Sequence, residues 1–167
     1  MITEKDEGFL RQAFDIARRA VEHGNMPFGS VLVDGDGNVV LEGENTAITE
    51  HDPTGHAETN LMREAGRRFE PDYLAGCTMY SSAEPCAMCA GAVYWVGVRR
   101  VVYGLDIPGL DEVVGSDPKN PTPHLRADPV LKGGKYEIAL EGPALVEEAK
   151  AVHAGYWERA RAGGSSG

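Results

Sequence analysis

The chain has 167 residues, 42% of them hydrophobic and 25% charged, the length and apolar content of a single domain with a sizeable core. Its 26 acidic side chains against 16 basic give a net charge of −10, which disfavours a nucleic-acid partner; the basic pairs Arg67-Arg68 and Arg99-Arg100 have no interleaved aromatics. No apolar run has the length of a membrane span, and the polar start Met1-Ile2-Thr3-Glu4-Lys5-Asp6-Glu7 is unlike a signal peptide, so the expected location is cytoplasmic, with no membrane partner.

From Asp6 to His23 the residues Phe9, Leu10, Ala13, Phe14, Ile16, Ala17, Ala20 and Val21 recur at helical spacing, which predicts an amphipathic helix ended by Gly24. Gly29–Val33 and Val39–Gly43 read as a hairpin around the turn Asp34-Gly35-Asp36-Gly37-Asn38. That acidic turn lacks the spacing and closing Glu of a calcium loop. A polar loop from Thr46 to Gly55 then delivers His56 to the start of a helix through about Phe69. Cys77–Tyr80 reads as a central strand, Ala87–Trp95 as a helix and Arg100–Gly104 as the next strand, an alternation that predicts an α/β protein with helices on the sheet faces. Between 105 and 132 the residues Pro108, Pro118, Pro121, Pro123 and Pro129 prevent regular structure from extending far, and the stretch reads as a long loop. Tyr136–Leu140 alternates as a strand, and Pro143 opens a last helix through about Arg161. Residues 1–162 are expected to form one domain, and 163–167 a flexible tail.

Chemistry concentrates in His56-Ala57-Glu58 and Pro85-Cys86-Ala87-Met88-Cys89. One imidazole and two thiolates are a known ligand set for catalytic zinc, which takes three protein ligands and leaves a position for water. A structural zinc site wants a fourth Cys or His, and none lies at a suitable spacing. Glu58 is better placed to move protons. With His56 and both cysteines near helix starts, unpaired backbone N–H groups favour anionic ligands and thiolates. The remaining Cys77 is a small buried hydrophobe, and nothing suggests a disulfide framework.

These segments match the H-x-E…P-C-x-x-C signature of the zinc nucleobase deaminases. With Met26-Pro27-Phe28-Gly29-Ser30, Gly43-Glu44-Asn45, Asp52–Glu58 and Glu84–Trp95, the chain resembles guanine deaminases of the cytidine deaminase-like fold over roughly residues 8 to 105. Related tRNA adenosine deaminases share much of this core. The resemblance implies a three-layer α/β/α sandwich around a five-stranded mixed sheet, one Zn2+ per chain on His56, Cys86 and Cys89, and a homodimer. It also implies hydrolytic deamination of a free nucleobase, guanine to xanthine. Phe28 then stacks on the base, Asn45 and the Ala57 backbone N–H orient it, and Trp95 walls the pocket or lies between subunits. Asp117, with Asp111 and Glu112 as rivals, reads the edge of the base from a lid formed by 105–132. The aromatic end Tyr156-Trp157 resembles a tail that can reach a neighbouring subunit's site. The alternatives are another small amino-heterocycle (cytosine, an oxidised purine, a pterin, an amino-triazine), adenosine in tRNA, and a zinc-stabilised binding module without catalysis.

Overall fold

The computed structural model describes residues 1–115 and 125–163. Helix α1 (Glu4–Glu22) is followed by the hairpin strands β1 (Gly29–Val33) and β2 (Val39–Glu44), helices α2 (Ala57–Arg68) and α3 (Pro71–Ala75), strand β3 (Thr78–Ala83), helix α4 (Ala87–Val96) and strand β4 (Arg100–Leu105). Helices α5 (Ile107–Val114) and α6 (Ala127–Lys132), strand β5 (Ala139–Glu141), and helices α7 (Val146–Val152) and α8 (Tyr156–Gly163) complete it.

The five strands form one mixed sheet in the order β2-β1-β3-β4-β5. The β1 strand is antiparallel to both β2 and β3, whereas β3, β4 and β5 run parallel. Alternate strand residues face opposite sides of a sheet, and the core divides accordingly. Val31, Val33, Tyr80 and Val102 pack under α1, α5, α7 and α8, while Leu32, Met79 and Val101 pack under α2, α3, α4 and α6. The result is the expected three-layer α/β/α sandwich.

Local chemistry explains the elements. The Thr3 side chain accepts from the Asp6 N–H and the Asp6 carboxylate accepts from the Thr3 N–H, a capping box that starts α1. Asp6 then turns inward, accepting from Tyr80 Oη at 2.6 Å and from Arg100 Nη1 at 2.7 Å, and Arg100 also holds Glu141 at 3.0 Å. This network fastens α1 to β3, β4 and β5. The Arg100 guanidinium and the Tyr80 and Thr3 donors outweigh burial and hold the Asp6 carboxyl well below the usual range.

Three expectations need correction. The proline-rich stretch carries two helices, because Asp106 caps α5 through the Gly109 N–H at 3.0 Å and Pro108 lies in the first turn, where no N–H is missed. The last helix is two, broken at Gly155, whose φ of +72° lies in the left-handed region. The fifth strand begins at Ala139, three residues after Tyr136, whose ring lies on the Arg99 guanidinium at 3.8 Å. Among the described residues no helix is long and apolar enough to cross a membrane.

Candidate metal and catalytic site

Two helix N-termini meet at the end of the central strand. His56 is the N-cap of α2 and Cys86 the N-cap of α4, which puts Glu58 and Cys89 in the first turns. The loop that delivers His56 is fixed by its own chemistry: Asp52 accepts from the Thr54 N–H at 2.8 Å and hydroxyl at 2.7 Å, and the His56 N–H donates to Thr54 O at 2.7 Å. Gly43 sets how closely α2 approaches the sheet. A Cβ there would meet Ala57 O at 2.5 Å and Leu61 Cβ at 2.8 Å, so only glycine fits.

His56 Nδ1 lies 3.6 Å from Cys86 Sγ and 3.5 Å from Cys89 Sγ, and the two sulfurs are 3.5 Å apart. In tetrahedral zinc with bonds of about 2.3 Å to sulfur and about 2.1 Å to nitrogen, ligand atoms sit about 3.6–3.8 Å from one another. The triangle fits one such ion, and His56, Cys86 and Cys89 are positioned to hold it. Hydrogen bonding with Cys89 and His56, together with the α4 backbone, pushes the Cys86 thiol down to about 4. Cys89 moves the other way, because it shares its proton with Cys86 and is buried.

Glu58 is almost fully buried beside this triangle. Its Oε1 accepts from Ser81 Oγ at 2.8 Å, and its Oε2 lies 3.7 Å from Cys89 Sγ. Burial pushes the carboxyl up. Ser81 was not singled out in the sequence; its signal is the strand register, since it follows Tyr80 on β3 and pairs with Ser30 of β1.

The chain's zinc-ligand pattern now has a geometry to match its spacing, and residues 3–105 match the family model described as the cytidine and deoxycytidylate deaminase zinc-binding region. The chain belongs to that deaminase family. The deaminase is 34% identical over 163 residues to a probable cytosine deaminase of Schizosaccharomyces pombe, covering 96% of this chain and 97% of the relative. It is 41% identical over 101 residues to guanine deaminase of Bacillus subtilis, covering 60% and 64%. Among solved structures, a mutant protein in complex with 8-azaguanine superposes with a TM-score of 0.74 at 25% identity, over 88% of this chain and 81% of that one.

The other expected site residues fall in different places in the deaminase. Asn45 is buried and joined to Phe28, its N–H donating to Phe28 O at 3.1 Å; its Oδ1 accepts from the Ala47 N–H at 3.1 Å. Asn60 of α2 donates to Glu44 O at 3.0 Å and Thr46 Oγ1 at 2.9 Å, bringing Asn45 against the first turn of α2 and the buried Ala57. Phe28 is partly buried on the α1 side of the sheet. Trp95 stands apart. It is 84% exposed and lies nine residues beyond Cys86, about 13 Å along the helix, touching the edge of Tyr94. Asp117 lies outside the described residues, and Glu112 is paired with Lys150 at 2.8 Å.

Glu84, quoted in the motif without a role, is a hub. Its carboxylate is fully buried and accepts from Arg126 Nη2 at 2.8 Å, Arg126 Nε at 3.0 Å, the Ile107 N–H at 3.2 Å and the Ala127 N–H at 3.4 Å. It thereby ties α5 and α6 to the turn that presents Cys86.

Proposed function

We propose that this chain is a hydrolytic deaminase of a free nucleobase, converting guanine and water to xanthine and ammonia. The observation that carries the reading is the position of Glu58, a buried carboxylate beside the His56, Cys86 and Cys89 triangle, with one oxygen held by Ser81 and the other free to exchange a proton. Zinc held by His56, Cys86 and Cys89 would lower the pKa of water toward neutrality and so supply a hydroxide nucleophile at pH 7. Glu58 takes the proton that water gives up and delivers it to the ring nitrogen beside the amino-bearing carbon, then takes the remaining proton of the added hydroxyl and passes it to the departing amine. Burial suits that role, because withdrawing the carboxylate from water strengthens its hold on the proton it has to accept.

Binding is assigned to the neighbouring segments. With Asn45 Oδ1 turned to the Ala47 N–H, the amide nitrogen is the group left for an acceptor on the base. The Ala57 N–H at the start of α2 orients the ring, and Phe28 offers its face for stacking. Asp117 supplies the carboxylate that guanine's N–H donors call for. The net charge of −10 supports a small substrate over a polynucleotide. Trp95 and the exposed Met88, seven residues apart on α4, support a homodimer formed through that helix; light scattering of the purified protein tests it.

Cytosine is the second reading, favoured by the S. pombe relative, whose match covers 96% of this chain and so extends past the family-model region into the C-terminal segment. Ammonia release by the zinc-loaded protein across guanine, cytosine, an oxidised purine, a pterin and an amino-triazine decides between them. Guanine is expected to have the highest kcat/KM. A higher value for cytosine replaces it, and no release from any of them removes the proposal.

A further inference from the structure

His153 is a buried histidine that the proposed chemistry does not use. It closes α7, is 2% exposed, and accepts a hydrogen bond at Nδ1 from Trp157 Nε1 at 3.1 Å. The two residues flank the turn at Gly155, four positions apart, and their rings lie nearly parallel, 13° apart with centroids 6.1 Å from each other. With Nδ1 accepting, the proton of the neutral ring sits on Nε2. That atom is buried and has no hydrogen-bond partner among the described residues. Burial pushes the imidazole pKa down to about 4, so the ring stays uncharged at neutral pH.

A buried donor without an acceptor is a cost to folding that an apolar ring at this place would avoid. The neighbour that gives the pair a use is Phe28. Its ring meets His153 edge to face, with centroids 5.4 Å apart at 67°, and Trp157 at 6.3 Å and 56°. Tyr156 backs Trp157 from another side at 4.8 Å and 86°. The Phe28 backbone is already bound to Asn45, so the ring angle is the freedom left to this residue, and the His153–Trp157 pair limits it.

We propose that His153 and Trp157 are positioning residues, an aromatic seat in the C-terminal helices that holds the Phe28 ring at the angle at which it stacks on the substrate base. The seat belongs to the same chain as the Phe28 it holds. The proposal rests on the assignment of Phe28 to base stacking, and its failure is separable from the failure of that assignment.

The test compares zinc-loaded F28A, H153A, H153F, W157A and F28A/H153A, reading KM and kcat with guanine and cytosine, bound zinc, and the order of the Phe28 ring from aromatic carbon relaxation without substrate. Edge-to-face ring pairs carry free energies that convert to about three- to tenfold in binding. H153A is expected to lower Phe28 ring order and raise KM by about three- to tenfold, with kcat and zinc content close to the parent. H153F, which keeps an aromatic face, should return both readouts toward the parent, and F28A/H153A should be no worse than F28A. Unchanged ring order in H153A overturns the proposal even if neither base turns over, as do effects that add fully in the double variant. If H153A does not fold, W157A decides in its place: ring order and KM equal to the parent overturn the proposal. A parental KM in F28A removes the stacking assignment alone and leaves Glu58 and the metal ligands untouched.

Discussion

Ser81 Oγ donates to Glu58 Oε1 at 2.8 Å from the floor of the sheet, while Glu58 Oε2 lies 3.7 Å from Cys89 Sγ. One oxygen of the carboxylate is anchored, and the other faces the metal ligands. Glu58→Gln is therefore expected to retain zinc and lose at least about 10²-fold in kcat, the range for removing a positioned general acid–base group. Ammonia release and metal analysis on the same sample check it. Ser81→Ala, which removes the anchor alone, should cost about tenfold with zinc retained.

Removing zinc with a chelator should abolish turnover and lower Tm, because a site formed by folding returns its binding energy to the folded state. Cys86→Ala and Cys89→Ala should purify with little metal. Restoring zinc should recover the parent protein and leave both variants inactive.

Acid stability has an assigned source outside the metal site. His153 is held neutral, with a folded pKa of about 4 against an ordinary value of 6.5. The unfolded chain therefore takes up the proton first as pH falls. The contribution is complete above about pH 6.5, declines below it, and is exhausted near pH 4, at a cost of up to about 3 kcal/mol. Urea unfolding of parent and His153→Phe between pH 7 and 4.5 should show a shallower decline in the variant.

Asp6→Ala should destabilise the fold by about 3 kcal/mol, because it leaves Tyr80 without its acceptor and Arg100 with Glu141 alone beneath α1. The midpoint of urea unfolding checks the loss. Zinc content of the folded fraction should match the parent, since this network lies on the α1 side of the sheet.

Gly43→Ala places a Cβ against Ala57 O and Leu61. Forcing α2 outward should cost about 1–3 kcal/mol and weaken zinc retention during dialysis against a mild chelator, because His56 begins that helix.

The metal ligands were legible because their pattern is local. Cys86 and Cys89 lie three residues apart at one helix start, and a His two residues before a Glu at another is a short spacing with few competing uses. Strand alternation was equally legible at Val31 to Val33 and Met79 to Tyr80, where each side chain's face follows from chain geometry alone. The helix Ile107–Val114 is not legible in the sequence because Pro108 reads as a breaker, whereas in the first turn of a helix it costs no hydrogen bond.

Residue types and spacing by themselves determined the zinc-type ligand set of His56, Cys86 and Cys89 beside Glu58, and the resemblance of the surrounding motifs pointed to the deaminase family, since ligand chemistry and backbone periodicity are short-range properties. Only the tertiary structure decided which distant groups meet: Ser81 under Glu58, Glu84 joining α5 and α6 to the Cys86 turn, and His153 with Trp157 against Phe28. Those contacts span from 23 to more than 120 positions in sequence, and neither propensity nor spacing reports on pairs brought together by the packing of layers across a sheet.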